Sequence, residues 1–416
     1  MEFLDHFRRL NSVQRNTFIA CFLGWSLDAF DFFILVFCLS AISVDFHAKV
    51  SAVAEGIFVT LAMRPVGAFL FGIMADKFGR RPTLMVDIIA YSIFELASAF
   101  APTLKIFLIM RAFFGIAMGG EWGVGAALAF ETLPVKGRGF FSGLLQEGYV
   151  VGNLLAALTY GVLFNTIGWR GMFVVGALPA FLVIYIRTKV DESPAWLKGH
   201  AVKHGERHLG RDIWKYLGTF LSLVVLMFFF NSFSHGTQDL YPTFLKINHG
   251  FTPGTVGMIA IIVNVGALLG GILFGAWSEH LGRRRAIVIA ALLSIPVIPL
   301  WAYSHTISML ALGGFLMQFM VQGAWGIIPA HLNELSPARV RGTFPGLAYQ
   351  LGNLLSSKNA VIQSKIVEQR YNGMFPPVLA WTVIIVASLV AVVTSLGREA
   401  KGADLSEAAL VPVPDE

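Results

Sequence analysis

The stretch Gly72-Ile-Met-Ala-Asp76-Lys-Phe-Gly79-Arg80-Arg81 returns 203 residues later as Gly275-Ala-Trp-Ser-Glu279-His-Leu-Gly282-Arg283-Arg284. Two further matches keep the same offset. Trp122-Gly123 returns as Trp325-Gly326, and Glu131, Pro134 and Arg138-Gly139 return as Glu334, Pro337 and Arg341-Gly342. Three matches in one register indicate a duplicated unit. In membrane proteins, the natural architecture for such a duplication is two halves related by an axis along the membrane normal.

The composition places this duplicated unit in a membrane. The 416 residues are 56% hydrophobic and only 13% charged, and the mean hydropathy is +0.69. So little charge cannot cover the surface of a soluble domain. A spanning helix needs about 20 mainly apolar residues. Twelve segments qualify, centred near Leu27, Leu61, Ala90, Ile116, Leu155, Leu178, Leu226, Val265, Leu292, Leu316, Leu354 and Ile385. We predict an all-α membrane protein with twelve transmembrane helices in two pseudo-symmetric six-helix bundles.

The distribution of positive charge predicts the orientation. Of the 31 lysines and arginines, 22 fall before the first span, after the last span or in the loops that a twelve-span chain with both ends inside keeps in the cytoplasm. This bias follows the positive-inside rule. We therefore expect a multi-pass protein of the inner (plasma) membrane with cytoplasmic termini. The pI near 9.3 then reflects orientation, and no nucleic-acid partner is predicted.

Composition also divides the chain. We predict an amino-terminal bundle over residues 1–190, a cytoplasmic linker over 191–213 where apolar density collapses, and a carboxy-terminal bundle over 214–400. Residues 401–416 contain Pro412 and Pro414 and few apolar anchors, so we expect a disordered cytoplasmic tail.

The repeated motif predicts a charge network on the inner face. Its arginines can reach carboxylates on neighbouring helices, and such a network would hold the halves together until the protein opens inward. The members expected are Asp76, Arg80, Arg81, Glu131, Glu279, Arg283 and Glu334. The alternative is that these charges only set the topology.

The seventh span ends in a polar face. Asn231, His235 and Gln238/Asp239 lie at i, i+4 and i+7/i+8, so they share one side of a helix. Ionisable groups there are costly unless they face water, a ligand or each other. They therefore indicate a substrate or proton pathway, with the alternative that His235 and Asp239 only satisfy one another.

Arg64 lies near the middle of the second span, where a guanidinium needs a strong anionic partner. We predict that it grips a substrate carboxylate, and a permanent ion pair with Asp28 or Asp31 is the alternative. The offset of 203 maps Asp28 onto Asn231 and Asp31 onto Ser234, so the two polar faces should enclose one central cavity.

Several groups are candidates for carrying a proton. We favour the pair His235–Asp239, because histidine titrates near neutral pH, followed by Asp28 with Asp31, and by Glu121 or Glu147. Gln350 and Asn353 of the eleventh span share a helix face and offer neutral donors and acceptors to a substrate. Interhelical hydrogen bonding is the alternative for these two.

These motifs together resemble those of the major facilitator superfamily. Within it, Asn231-x-x-Ser-His235-x-Thr-Gln-Asp239-x-x-x-Thr243 is similar to the signature of the Jen-type lactate/pyruvate:proton symporters of the sialate:proton symporter family. Tyr349-Gln350-Leu-Gly-Asn353 and Met63-Arg64-Pro65-Val-Gly67 resemble the same family. The resemblance implies proton symport of small acids by alternating access. The linker is too short for the extra central spans of sialate carriers, and the lack of long extensions is expected of a bacterial homologue.

The sequence thus predicts a proton-coupled symporter of small monocarboxylates such as lactate and pyruvate. Asn231, His235, Gln350 and Asn353 would bind the substrate beside Arg64. Another organic acid, such as sialate, a dicarboxylate or an aromatic acid, is the nearest alternative, and a non-transporting receptor or scaffold is the alternative of another class. The chain shows no enzyme, metal or phosphate-binding motif, so we expect no cofactor beyond the proton gradient, and function as a monomer.

Overall fold

A computed structural model describes residues 7–201, 214–403 and 405. The amino-terminal half consists of α1 Ser12–Asp45, α2 Val50–Phe78, α3 Arg80–Ala99, α4 Leu104–Thr132, α5 Arg138–Gln146 continued by Gly148–Val175 as far as the kink at Gly168, and α6 from that kink through Leu178–Phe181 to Leu182–Lys189. A short helix, Pro194–Ala201, follows.

The carboxy-terminal half repeats this order. It consists of α7 Leu217–Gln238 with Tyr241–Ile247, α8 Pro253–Leu281, α9 Arg283–Leu293 with Ile295–Val297 and Ile298–Ala302, α10 Ile307–Leu335, α11 Phe344–Ser356 with Asn359–Arg370, and α12 Pro376–Leu396. The described chain is therefore all-α, with six helices on each side of the linker, as predicted.

Nine helices of the described ranges are long and apolar enough to cross a membrane on length and composition alone. The other three spans are α4, α6 and α11. α4 is buried over most of its length, α11 breaks after Ser356 into two pieces, and α6 runs on from α5 as part of Arg138–Val175. The count of twelve thus rests on the repeat as well as on hydropathy.

Equivalent residues set equivalent helix ends in the two halves. Gly79 separates α2 from α3 at φ 110°, and Gly282 separates α8 from α9 at φ 91°, a conformation that favours glycine. Thr103 and Thr306 cap α4 and α10 by accepting a backbone N–H with their side chains, as helix N-termini require. The sequence repeat is therefore a repeat of local structure.

The halves meet along two seams, α5 against α8 and α2 against α11. Glycines allow the contact. A Cβ atom on Gly143 of α5 would lie 2.3 Å from the carbonyl oxygen of Gly271 of α8, and one on Gly123 of α4 would lie 2.7 Å from the Cα of Gly346 of α11. Small residues at such seams let backbones approach closely.

The predicted boundaries fall partly outside the described residues. Positions 202–213 of the linker, and 404 and 406–416 of the tail, are not described. The described end of the predicted tail is packed against the protein, since Leu405 is only 2% exposed. An apolar side chain and nearby hydrogen-bond donors hold this end, which the low apolar content of the tail did not predict.

Candidate substrate site and inner-face charge network

Arg64 lies halfway along α2, one residue before Pro65, and is only 2% exposed. Its Nε and Nη2 atoms, which form one edge of the guanidinium, have no hydrogen-bond partner among the described residues. Trp25 of α1 lies beside it, 6.0 Å from ring centroid to guanidinium carbon. Gly119 of α4 permits this position, because a Cβ atom there would lie 2.1 Å from the Arg64 carbonyl oxygen.

Two other arginines show what this guanidinium edge binds. Arg80 donates from Nε and Nη2 to the two carboxylate oxygens of Glu131, both at 3.1 Å. Arg283 donates in the same way to Glu334, at 3.0 and 3.1 Å. Such parallel bonds match the planar carboxylate. Arg64 presents the same edge with no carboxylate of the described chain on it.

The acidic side chains that interact electrostatically with Arg64 are not bound to it. Asp28 and Glu121 are fully buried, and neither carboxylate has a hydrogen-bond partner within the described part of the chain. Asp31 is buried and unpartnered in the same sense. The ion pair with Asp28 or Asp31 that the sequence left open is therefore not formed in this structure.

Another buried arginine of this half, Arg111, is paired. Arg111 of α4 contacts Glu95 of α3 through Nη1, and both side chains are 0% exposed. Its guanidinium carbon also lies 3.8 Å from the ring centroid of Phe114. Arg64 thus differs from Arg111 in having no carboxylate partner.

The polar face of α7 connects to α11. The Nδ1 atom of His235 lies 3.1 Å from Asp239 and its Nε2 atom 3.1 Å from Asn353. The His235 and Asp239 side chains are each 35% exposed, so this pair is open to the surroundings as well as internally bonded. The amide nitrogen of Asn231 donates to the Met227 carbonyl of its own helix at 2.8 Å.

Two glutamines of α10 join this face and were not predicted. Gln318 donates to Thr237 at 3.0 Å, and Gln322 donates to Ser234 at 3.4 Å. They lie at i and i+4 in an apolar helix. That spacing, the same signal that singled out α7, would have found them.

Aromatic rings connect the two halves in this central region. Trp122 of α4 and Tyr349 of α11 approach across the halves to 4.8 Å between ring centroids. Trp25 and Tyr149, both of the amino-terminal half, lie beside them at 5.6 Å from each other. Gln350, next to Tyr349, is 1% exposed, and both polar atoms of its side chain lack a partner among the described residues. The aromatic layer was not predicted, although Trp122 was noticed as part of the repeat.

The inner face, the end of the bundle predicted to be cytoplasmic, carries the predicted charge network in two copies. Arg80 contacts Asp76 at 3.2 Å in addition to Glu131. Arg283 contacts Glu279 at 2.9 Å in addition to its own glutamate. Desolvated ion pairs of this kind need several hydrogen bonds each, and these have them.

Each copy also reaches into the other half. Asp76 accepts hydrogen bonds from the backbone of Gly342 at 2.8 Å and from the Thr343 hydroxyl at 2.7 Å. Glu279 accepts from the backbone N–H of Gly137 at 3.3 Å and from that of Gly139. The two acidic residues therefore hold the starts of α11 and α5 in the opposite half.

Two arginines complete the crossing contacts and were not assigned to the network from sequence. Arg341 lies 3.5 Å from Glu131, and Arg138 lies 3.4 Å from Glu334. Burial lowers the pKa of the Arg341 guanidinium, and the Glu131 carboxylate opposes that change. Both arginines stand in the repeated sequence after Pro134 and Pro337, so the repeat contained the signal.

The structure does not place Arg81 in this network. One residue beyond Arg80 on a helix, it points another way, and its Nη2 atom donates to the Arg187 carbonyl at 2.5 Å. The backbone N–H groups of Arg80 and Arg81 are capped by Glu192 at 3.0 and 3.2 Å. Burial raises the pKa of Glu192, while backbone donors, including that of Ser193, oppose the shift.

Comparison with known proteins decides the family. The model of the family described as sugar (and other) transporter matches residues 16–215 and 215–395. The chain belongs to this transporter family. A solved structure of the major facilitator superfamily proton:xylose symporter XylE shares the fold, with a TM-score of 0.77 at 19% identity over 95% of this chain and 98% of that one. The protein is therefore a multi-pass transporter with the major facilitator fold, and not an enzyme.

The chain is also similar to two organic-acid transporters. The chain is 31% identical over 394 residues to the carboxylic acid transporter protein homolog of Saccharomyces cerevisiae, covering 88% of this chain and 63% of the relative. It thus spans less than two thirds of that relative. It is 30% identical over 351 residues to the sialic acid transporter NanX of Escherichia coli (strain K12), covering 83% and 85%.

Proposed function

We propose that this member of the transporter family carries small monocarboxylates such as lactate and pyruvate, each with a proton, across the inner (plasma) membrane by alternating access. The observation that carries the proposal is the free Nε–Nη2 edge of Arg64, which is buried midway along α2. A buried cation without a protein partner is costly, and a substrate carboxylate offsets that cost.

The number of uncommitted buried cations favours one carboxylate per substrate. Every other arginine that is at most 2% exposed contacts a carboxylate of the described chain; these are Arg80, Arg111, Arg138, Arg283 and Arg341. A dicarboxylate would bring a second anionic group into an interior with no second free cation among the described residues. Burying an unpaired charge in that way is strongly unfavourable.

Charge balance supports proton coupling. Asp28, Asp31 and Glu121 are already buried in the amino-terminal half. An arriving substrate anion adds another negative charge at low dielectric, where repulsion is strong. A proton bound by one of these carboxyls, or by His235 beside Asp239, keeps the net charge of the loaded site unchanged. We propose His235 with Asp239 as the proton carrier and the three carboxyls as the next candidates.

A second candidate cargo is an aromatic acid. Trp25, Tyr149, Trp122 and Tyr349 bring four rings into the central region, with the Arg64 guanidinium 6.0 Å from the Trp25 ring centroid. Aromatic faces bind planar ring systems by offset stacking. An aromatic monocarboxylate would use the same arginine edge as lactate. The names of the two relatives, carboxylic acid and sialic acid transporter, do not distinguish between these two cargoes.

The test is uptake of labelled L-lactate into proteoliposomes, with and without an inward proton gradient. Gradient-stimulated uptake that pyruvate inhibits and sialate does not would support the proposal. Inhibition by benzoate or nicotinate at lower concentration than by pyruvate would instead favour the aromatic cargo. Lactate uptake that ignores the gradient would refute proton coupling.

A further inference from the structure

The inner face holds a binding site made by the two arginines that cross between the halves. Arg138 donates from Nη1 to the carbonyl of Ala403 at 2.9 Å, and Arg341 donates from Nη1 to the carbonyl of Leu405 at 3.1 Å. The same Nη1 atoms contact the glutamates of the opposite halves, at 3.4 and 3.5 Å. The segment after α12 therefore lies where the two copies of the charge network meet.

An apolar anchor accompanies these hydrogen bonds. Leu405 is 2% exposed and belongs to the same buried cluster as Leu10 of the amino-terminal half and Ala276 and Ala330 of the carboxy-terminal half. Gly402 also lies close to the amino-terminal half, since a Cβ atom added to it would lie 3.9 Å from Val135. One short stretch of chain thus contacts both halves at the face where they join.

The path of the chain into this site is also fixed. After α12, the carboxylate of Glu399 accepts hydrogen bonds from the backbone N–H groups of Arg283 and Arg284, at 3.3 and 3.0 Å, and so caps α9. This cap is the counterpart of the Glu192 cap on α3. The segment beyond Glu399 is tethered close to the inner face, which raises its effective concentration at the arginines.

We propose that Gly402, Ala403 and Leu405 act as a latch, a short part of this chain that binds between Arg138 and Arg341 and stabilises the inward-closed state. This inference rests on the alternating access proposed above. When the inner ends of the halves separate, a segment held by both must lose either its contact with Arg138 or its contact with Arg341, and the Leu405 side chain loses its burial. The latch therefore releases before or as the inner face opens.

The test measures the inner opening directly, without substrate or proton gradient. Spin labels are placed at Lys77 and His280, which are exposed at equivalent inner ends of α2 and α8, after Cys21 and Cys38 are replaced by alanine. The distance distribution is recorded by pulsed electron paramagnetic resonance on the full chain in lipid nanodiscs. Because no cargo is added, the result does not depend on which acid is carried.

Leu405→Asp is the main variant. We expect it to raise the population at the long distance relative to the population at the short distance by about tenfold or more, because burial of one leucine side chain contributes on that scale. Leu405→Ala should raise the ratio by a smaller factor, and it carries the test if the aspartate variant does not fold. Arg398→Ala, at an exposed position after α12, should match the parent. Parental distributions in both Leu405 variants would overturn the latch, as would an equal shift in Arg398→Ala.

Discussion

Arg64→Ala removes the guanidinium edge formed by Nε and Nη2, and it should nearly abolish lactate uptake while the protein stays folded. A hydrogen bond to a charged group contributes about 1.5–3 kcal/mol, so two parallel bonds contribute about 3–6 kcal/mol. At about 1.4 kcal/mol per tenfold, kcat/KM should fall by roughly two to four orders of magnitude. The assay is initial L-lactate uptake into proteoliposomes over a range of concentrations.

Stability separates this explanation from a structural one. Arg64 makes no hydrogen bond or ion pair with the described residues, so its removal should lower the thermal unfolding midpoint by less than Glu131→Gln, which breaks buried pairs. Arg64→Lys keeps the positive charge but loses the two parallel N–H donors of the guanidinium. Its kcat/KM for lactate uptake should lie between those of the parent and the alanine variant. Arg170→Ala, which breaks an exposed pair with Asp45 at 2.9 Å, is the matched control and should transport normally. Lactate uptake by Arg64→Ala within threefold of the parent would refute the binding of the substrate carboxylate by Arg64.

Four further outcomes are expected. His235→Gln removes a titrating ring, so uptake should continue without stimulation by an inward proton gradient; stimulation equal to the parent's would exclude this histidine as the carrier. Glu131→Gln breaks buried pairs and should cost about 3–5 kcal/mol of stability, which a lower thermal unfolding midpoint would show and an unchanged one would contradict. Gly143→Leu should stop transport by holding α5 away from α8, whereas Gly161→Leu, on the same helix with nothing within 4 Å of its Cβ, should not. Gln350→Ala removes an unpartnered amide and should raise the KM for lactate by about two- to tenfold, at about 0.5–1.5 kcal/mol, with gradient stimulation retained; loss of that stimulation would contradict the assignment.

The fold could be predicted from the sequence because hydropathy, the internal repeat and the distribution of charge indicated the same architecture. Twelve apolar segments can be counted in the sequence, and nine helices of the described ranges meet the length and composition needed to cross a membrane. The repeat agrees with the count of twelve, since α4 and α10 must be equivalent if Trp122 and Trp325 are. The inner-face network followed from the same repeat, because Arg80 and Arg283 each needed a carboxylate and the repeat offered one in each half.

The parts that were missed depend on which way a side chain points. Helix spacing placed Asn231 on the polar face, but it could not show that the amide bonds to its own helix. Arg81 was grouped with Arg80 although one residue is a turn of about 100° on a helix. The burial of Leu405 depends on a surface formed by both halves, which no local pattern encodes.

The two halves share the inner-face charge network but differ in the buried charges near the substrate site. The charge network on the inner face is present in both halves, with matching bidentate pairs and crossing contacts. The buried charges near the substrate site are not repeated, because the offset of 203 maps Arg64 onto Ala267 and Glu121 onto Ala324. The buried charges of the centre thus belong to the amino-terminal half, while α7, α10 and α11 contribute mainly neutral amides and hydroxyls. A surface of neutral hydrogen-bonding groups can shift relative to a substrate at little electrostatic cost. A surface of buried charges cannot, because each charge is left unpaired unless its partner moves with it. This division favours the amino-terminal half as the part that binds the substrate carboxylate through Arg64. It favours the carboxy-terminal half, with its neutral groups and the His235–Asp239 pair, as the part that selects among acids and carries the proton.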